Sequence, residues 1–124
     1  SDDELGDYPS STDGTYPVIT HLASMYVEDS GVGYSNSDEV VITPSEGAEA
    51  SITVTELGAI KTIKVTKKGE GFKVKSTAYI KSKGGIGAII NPQLGIDTVD
   101  EEKLKEPGVS DKVIQVKDVV GAYQ

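Results

Sequence analysis

The second part of the chain repeats the pattern of the first, and this internal repeat limits the possible folds more than any other feature of the sequence. One gap-free shift places Gly31 on Gly69, Gly33 on Gly71 and Tyr34 on Phe72. The same shift matches five further pairs: Val27 and Val65, Ile42 and Ile80, Gly47 and Gly85, Ala50 and Ala88, Ile52 and Ile90. Glycines and apolar residues recur whereas titratable residues do not, so the repeat predicts a scaffold and not a reaction.

The composition favours β structure in one small domain. A chain of 124 residues with 14 glycines, one Phe and no Trp must build its core from Val, Ile, Leu and Ala, and the β-branched residues pack best on pleated sheet. The sequence has no cysteine, which excludes disulfides and thiolate metal ligands. Its apolar runs are too short to cross a bilayer, so we expect no membrane insertion.

Each copy of the repeat is predicted to contain three strands. The segment 60–66 ends in strict alternation of polar and β-branched residues, which indicates a half-buried strand. Its counterpart at 18–27 has an ambiguous period that also suits a helix, and we interpret it as a strand because of the repeat. Second strands are predicted at 39–42 and 77–80, and third strands at 48–55 and 86–90. The short connection at 56–59 predicts that the third strand pairs antiparallel with the fourth.

A Gly-x-Gly-aromatic motif follows the first strand of each copy. It reads Gly31-Val-Gly33-Tyr34 in the first copy and Gly69-Glu-Gly71-Phe72 in the second. Two glycines at this spacing allow positive φ or a bulge, and the aromatic residue can fold back as a plug. A phosphate-binding loop would need a third glycine that opens a helix, and none is present. The motif therefore predicts a structural turn.

The pattern divides the chain into three regions. Residues 1–16 are acidic and rich in turn residues, which predicts a flexible arm. Residues 17–95 form the tandem repeat, with copies at 17–57 and 58–95. In the extension at 96–124, a capping box from Thr98 to Glu101 predicts a short helix that ends at Pro107, and alternation at 112–117 predicts a final edge strand. The expected fold is an all-β sandwich or barrel-like domain with a C-terminal helix and edge strand.

Charge is distributed unevenly between the copies. Residues 1–60 hold twelve acids and no Lys or Arg, whereas residues 61–124 hold eight acids and twelve lysines, which gives net charges of −12 and +4. Arginine is absent, so a nucleic acid is not an expected partner. Opposite charges at matched positions suggest docking between neighbours, against the simpler interpretation of two solvated faces. The candidate interface residues are Glu28, Asp29, Lys67, Lys68, Ile86 and Ile89; for Ile89 the core is the favoured alternative.

Few residues in the sequence suggest chemistry. His21 is the only histidine, and a single histidine in an apolar strand is more often structural than catalytic or metal-binding. The N-terminal acids lack the ligand spacing of a calcium loop. A paired-carboxylate site of glycosidase type could form only among the acids of the first copy, Glu28, Asp29, Asp38, Glu39, Glu46 and Glu49. We expect no catalytic, cofactor-binding or metal-binding residues, and therefore no enzyme.

The second copy reads Gly58-Ala-Ile60-Lys-Thr-Ile63-Lys-Val65, then Gly69-Glu-Gly71-Phe72, then Ala78-Tyr79-Ile80 and Gly85-Ile86-Gly87-Ala88. Over about residues 22–92 this pattern resembles a β repeat of tail and baseplate proteins of contractile-tailed bacteriophages, which also occurs in some bacterial surface proteins. It departs from the pattern at Phe72, where tyrosine is usual, and at Glu49, where glycine is expected. Neither copy has the proline that commonly precedes the second strand. The resemblance implies a structural virion component, located in the tail, that binds other virion proteins or copies of itself.

Two other functions remain open at this point. The first is an adhesin-like module that binds a host glycan through Tyr26, Tyr34, Tyr79 and nearby acids. Exposed tyrosines clustered on one face would support it. The second is a small hydrolase, which would need a cleft that holds two close carboxylates.

Overall fold

The structure is a computed structural model that describes residues 15–119; most of the predicted arm, residues 1–14, and residues 120–124 lie outside the described residues. Residues 15–119 are mostly β-strand, as predicted. The strands are β1 (Pro17–Val32), β2 (Glu39–Thr43), β3 (Glu49–Val54), β4 (Ile60–Lys67), β5 (Thr77–Lys81), β6 (Ile86–Thr98) and β7 (Ile114–Gln115). The helical segments are α1 (Glu101–Leu104) and a 3₁₀ turn at Val116–Asp118. Within the described range, no helix has the length and apolar character needed to cross a bilayer.

Three antiparallel ladders connect the six longer strands. β1 pairs with β6, β2 with β5, and β3 with β4. The predicted pairing of the third strand with the fourth is therefore confirmed, and the turn that joins them is closed by a hydrogen bond from Gly58 N to Thr55 O at 2.9 Å. β5 also lies alongside β6, β2 alongside β3, and β1 alongside β4. Each ladder thus joins a strand before residue 58 to a strand after it.

The ambiguous segment at 18–27 is a strand, as predicted, and it belongs to the longest strand of the described chain. β1 buries Val18, Leu22 and Met25 and exposes Tyr26. Its register against β6 shifts between Leu22 and Ser24, and again between Val27 and Asp29. The first bulge lies inside the segment 18–27, where it breaks strict alternation and accounts for the ambiguous period of the sequence.

The bulge near the end of β1 has a match in β4. Val27 lies opposite Ile90 and Asp29 opposite Ile89, so β1 has one residue more than β6 at that point. In the same way, Val65 lies opposite Ala50 and Lys67 opposite Glu49. Val27 and Val65 are 38 residues apart, which is the gap-free shift that aligns the two copies. Their ladder partners, Ala50 and Ile90, are 40 residues apart, two more than that shift.

The gap-free alignment is therefore wrong in the third strands. The positive φ of Gly47, 88°, recurs at Gly87 with 87°, and Gly85 has no positive φ. The physical reason is a difference in loop length, because Gly47 lies four residues after β2 whereas Gly87 lies six residues after β5. Ala50 and Ile90, not Ala50 and Ala88, occupy corresponding ladder positions.

All four glycines of the Gly-x-Gly-aromatic motifs have positive φ, as predicted, and Gly31 has it within β1. Gly31 and Gly69 have φ values of 61° and 62°, and Gly33 and Gly71 have 84° and 91°. Phe72 is 1% exposed and Tyr34 is 9% exposed, so both aromatic residues plug the interior. Phe72 packs in one core cluster with Leu22, Met25, Ile42, Ala48, Ile90 and Leu94. Tyr34 packs in a second with Ile52 and Ile60.

The C-terminal extension packs on one end of β1. Val99 and Val109 form a third apolar cluster with Ile19. The side chain of Lys112 lies over Gly71, where an added Cβ would stand 3.1 Å from Lys112 Cγ. The turn at Gly71 is consequently buried, whereas the matching turn at Gly33 is exposed.

Two details of the helix in the extension differ from prediction. The helix cap is Asp100 and not Thr98, because Thr98 remains paired with Val18 in the sheet. Asp100 Oδ1 accepts a hydrogen bond from Lys103 N at 2.8 Å, and α1 ends at Leu104, before Pro107.

The final strand is shorter than the predicted 112–117 and covers two residues, which pair with Pro17 and Val18 at the edge of the sheet. On the side of Thr20 the edge of β1 is already occupied. Thr20 O accepts a hydrogen bond from Gly71 N at 2.8 Å, and Leu22 N donates to Lys68 O at 2.9 Å. Because the pairing is antiparallel, these bonds exclude residues 112 and 113, and β7 begins at Ile114. After Gln115 the chain passes the start of β1 and enters the 3₁₀ turn at Val116.

Candidate interaction surfaces

A concave groove surrounds His21, the residue that the sequence predicts to be structural. His21 Nδ1 lies 2.7 Å from Asp97 Oδ2, and this contact joins β1 to β6. The ring covers Gly95, its partner across the ladder, where an added Cβ would stand 2.8 Å from Nε2. The groove has a volume of about 290 Å³ and is also lined by Lys68 and Lys103. Nδ1 thus contacts the Asp97 carboxylate and Nε2 lies against Gly95 of the neighbouring strand. His21 therefore connects β1 to β6, which is a structural role.

A second, wider groove lies beside the exposed Gly33 turn. Its volume is about 600 Å³, and it is lined by Gly33, Ser35, Ser37, Asp38, Glu39, Lys81, Ser82, Lys83 and Gly84. A hydrogen bond from the Ser82 side chain and one from Ser35 N, 2.8 Å from Asp38 Oδ2, lower the pKa of Asp38 below its ordinary value. Asp38 therefore stays ionised and ties the start of β2 to the loop after β5.

Among the acids proposed for a paired-carboxylate site, Asp38 and Glu39 both line the wider groove, whereas three others are engaged in different places. Glu28 Oε1 accepts a hydrogen bond from Asn91 Nδ2 at 2.9 Å, and Asp29 Oδ1 accepts one from Gly31 N at 3.0 Å. Glu49 lies 3.7 Å from Lys67. Glu28 and Glu49 thus contact the strand paired with their own, and Asp29 contacts the backbone of its own segment. Among residues 15–119, no group of three or more histidines and carboxylates could hold a metal ion.

The three tyrosines proposed for glycan binding do not form one exposed group. Tyr34 is buried, and its hydroxyl accepts a hydrogen bond from Ala88 N at 3.1 Å, so its assignment to a glycan platform is wrong. Tyr26 on β1 and Tyr79 on β5 are 57% and 58% exposed, but they belong to different ladders. Tyr26 lies opposite Asn91, whose amide holds Glu28. We call Tyr26, Glu28 and Asn91 the tyrosine face.

Exposed large apolar residues concentrate on β1 and β6. Of those in the described range, five lie on these two strands: Tyr26, Val32, Ile86, Ile89 and Ile96. The corresponding ladder of β3 and β4 carries none, since its exposed positions are Thr, Ser, Lys and Glu. The two ladders therefore present different outer chemistry, apolar and aromatic on one and hydroxyl-rich with lysine on the other.

The candidate interface residues fall into two separate groups. Glu28, Asp29, Ile86 and Ile89 lie together on the ladder of β1 and β6. Lys67 and Lys68 lie at the end of β4, with Lys67 beside Glu49 and Lys68 in the groove of His21. The favoured assignment of Ile89 to the core is wrong, because its side chain is 46% exposed opposite Asp29.

Sequence reasoning missed three exposed apolar residues, Val32, Leu57 and Val74, which are 46%, 78% and 58% exposed. Val32 and Leu57 lie in or beside segments that were interpreted as turns. Val74 interrupts a run of lysines, with Lys73 and Lys75 on either side of it. An apolar residue that lies between two lysines in a predicted loop was the sequence signal that could have indicated the exposure of Val74.

Comparisons of this chain with protein-family models, with curated proteins and with solved structures find no match.

Proposed function

We propose that this chain is a non-catalytic structural module of a contractile phage tail, within its baseplate, and that it acts by docking on neighbouring proteins. The observation that carries the proposal is the concentration of exposed apolar side chains on β1 and β6. Ile86, at 69% exposure, and Tyr26, at 57%, lie on strands whose other face is core. A single exposed apolar residue is ordinary, but a group along one ladder marks an interaction surface.

The finer architecture supports the same role. We infer a duplicated unit in which the two copies exchange strands, and in which the six longer strands close into a barrel-like body. One support is the pair of matched bulges after Val27 and Val65. The other is the pairing of β2 with β5, because both ends of β5 lie 38 residues after those of β2, the same offset as between the matched glycines. A body in which each copy completes the other is rigid, and rigid surfaces lose little entropy on docking.

The sequence pattern supplies the assignment to a phage tail. The Gly-x-Gly-aromatic turns, with Gly31 matching Gly69 in φ, are the part of the pattern that resembles the tail and baseplate repeat. A structural role needs no catalytic group, and His21, Glu28 and Asp29 are engaged in contacts that hold strands and turns together.

The proposal can be tested on virions from the source that encodes the chain. Antibody raised against the purified protein, coupled to gold, should label one end of the tail in electron micrographs. The matched control is the same antibody after absorption with excess purified protein. Particles that contain the protein by mass spectrometry but carry label on the head, or particles that lack the protein, would refute a tail role.

A second candidate function is glycan binding at the tyrosine face. The observation that favours it is an exposed tyrosine beside an amide and a carboxylate that are already oriented by a 2.9 Å hydrogen bond. Aromatic stacking with adjacent hydrogen-bonding groups is a usual way to hold a sugar. Saturable binding on a glycan panel that is lost in Tyr26→Ala and retained in Tyr79→Ala would support it. No binding by the unmodified protein would exclude it for the glycans on the panel.

A further inference from the structure

Three of the exposed apolar residues stand at the same end of the molecule, which we call the open end. Val32 lies opposite Ile86 in the ladder of β1 and β6. The next residue, Gly33, donates a hydrogen bond from its N–H to Leu57 O at 3.0 Å. Leu57 and Ile86 are the two most exposed of the large apolar residues in the described range, at 78% and 69%. At the matching turn, by contrast, the C-terminal extension covers Gly71.

Acidic residues adjoin the open end. Glu56 precedes Leu57 in the turn between β3 and β4, and Asp29 stands three residues before Val32 on β1. Both are exposed. Lys83, in the loop after β5, is a basic residue of the same region, because Gly84 O lies against Gly33. The surface is therefore apolar at its centre and carries two carboxylates on the side of Leu57 and β1.

A second surface of the chain has the opposite arrangement. Val74, 58% exposed, stands between the exposed residues Lys73 and Lys75 in the loop from β4 to β5. Both ends of this segment are fixed. Phe72 is buried and its carbonyl accepts from Thr20 Oγ1 at 2.7 Å, while Ser76 is buried and its hydroxyl donates to Pro44 O at 2.8 Å.

The matching segment of the first copy does not present an apolar residue. Its central residue, Asn36, is tied to β3, because its Oδ1 accepts a hydrogen bond from Val54 N at 2.9 Å. Val74 occupies the corresponding position without such a tie and stands in solvent. We call Lys73, Val74 and Lys75 the lysine knob. Its anchored ends mean that little further ordering is needed when it binds.

We propose that the lysine knob of one molecule docks on the open end of a second copy of this chain. Val74 then packs against Leu57, Val32 and Ile86, and the lysines of the knob face Glu56 and Asp29. Charge complementarity of the two surfaces argues for a second copy as the occupant. This inference rests on the proposed function as a structural module, whose neighbour it identifies.

The two surfaces lie at opposite ends of the molecule. The knob is anchored to Thr20, near the start of β1, and the open end begins at Val32, where β1 ends. Twelve residues of strand separate these points, roughly 40 Å if fully extended. One molecule cannot satisfy its own pair of surfaces, so the contact is head to tail. Such contacts close into a ring or continue as a filament, according to the rotation between neighbours.

The test is light scattering behind size exclusion over a concentration series. The unmodified protein should increase in mass with concentration, less so at high salt, where the ion pairs are screened. Val74→Asp should weaken self-association roughly tenfold or more, since a central apolar contact becomes a buried charge beside carboxylates. The matched control is Tyr79→Asp, because Tyr79 has the same 58% exposure but belongs to β5, outside the lysine knob and the open end, and its replacement should change nothing.

Charge reversal supplies the second measurement. The double variant Lys73→Glu and Lys75→Glu, and separately the variant Glu56→Lys, should each be monomeric, and an equal mixture of the two should recover part of the association. Thermal melts must show that all variants fold. A monomeric unmodified protein at every concentration, or a Val74→Asp variant that associates as strongly as the parent, would overturn the inference. Gold label at the tail end would still support the proposed function in either case, so the two failures can be told apart.

Discussion

Replacing Gly31 or Gly69 with alanine tests how closely the two halves of the molecule approach each other. A Cβ at Gly31 would stand 2.6 Å from both Ala88 N and Ile86 O, and a Cβ at Gly69 would stand 2.6 Å from both Ala48 N and Glu46 O. These are backbone atoms of a facing segment. They cannot rotate away as a side chain can, so the facing segment must move by several tenths of an ångström.

The expected cost has two parts. Both glycines have φ near +60°, a conformation that costs an L-residue about 1–2 kcal/mol. Displacing a well-packed segment adds about 1–3 kcal/mol. Each alanine variant should therefore lose about 2–5 kcal/mol, a large part of the ~5–15 kcal/mol that stabilises a typical domain. Because the φ values and the backbone contacts match, the two variants should lose similar amounts, although a Cβ at Gly31 also stands 2.7 Å from the Tyr34 ring.

Gly108→Ala is the matched control. Gly108 also has a positive φ, 82°, but nothing lies within 4 Å of its Cβ position. This variant should lose only the conformational part, about 1–2 kcal/mol. The difference between the control and the other two variants isolates the steric part.

Urea unfolding followed by circular dichroism gives these free energies from the midpoint, provided that the slope m is unchanged. If Gly31→Ala and Gly69→Ala lose no more than Gly108→Ala, the close approach does not constrain the fold. A large loss in one variant and none in the other would instead refute the equivalence of the two turns.

Two further predictions concern single hydrogen bonds. Tyr34→Phe removes the hydroxyl that accepts from Ala88 N, and leaving that partly buried N–H without a partner should cost about 1–2 kcal/mol in urea unfolding; an unchanged midpoint would show that another acceptor replaces it. Asp38 should titrate by NMR below its ordinary pKa, and Ser82→Ala, which removes the largest cause, should raise that pKa. Since the folded-state pKa is lowered, the stabilisation from Asp38 is present above the unfolded-state pKa and lost as pH falls through the folded-state pKa. A pKa in Ser82→Ala equal to that of the parent would contradict this cause.

The features that could be predicted from the sequence are those set by local chemistry. Alternation at 60–66 predicted β4, and the short segment 56–59 predicted the hairpin that joins β3 to β4. Glycines at 31, 33, 69 and 71 predicted turns because positive φ is accessible to glycine. In each case the interaction that determines the local structure involves residues only a few positions apart in the sequence.

The features that could not be predicted depend on contacts between distant segments. The displacement of the third strands is invisible to a gap-free comparison. The length of β7 is limited because Thr20 and Leu22 already bond to Gly71 and Lys68. The exposure of Val74 depends on its neighbours Phe72 and Ser76, which are held by the distant residues Thr20 and Pro44. The alternation of residues in a sequence predicts on which side of its strand a side chain lies. It does not predict which other segment of the chain covers that side.

The pairing of β1 with β6 has a consequence for the order in which the chain is made. Val18 pairs with Thr98 and Val32 with Ile86, so β1 emerges from the ribosome long before its partner. At roughly 5–20 residues per second, synthesis from Val32 to Thr98 takes about 3–13 s, during which a long apolar strand has no ladder. The segment 1–60 carries twelve acids and no lysine or arginine, and this charge makes nascent chains repel one another. The acidic bias of residues 1–60 thus opposes aggregation of β1 while its partner strand is still being synthesised.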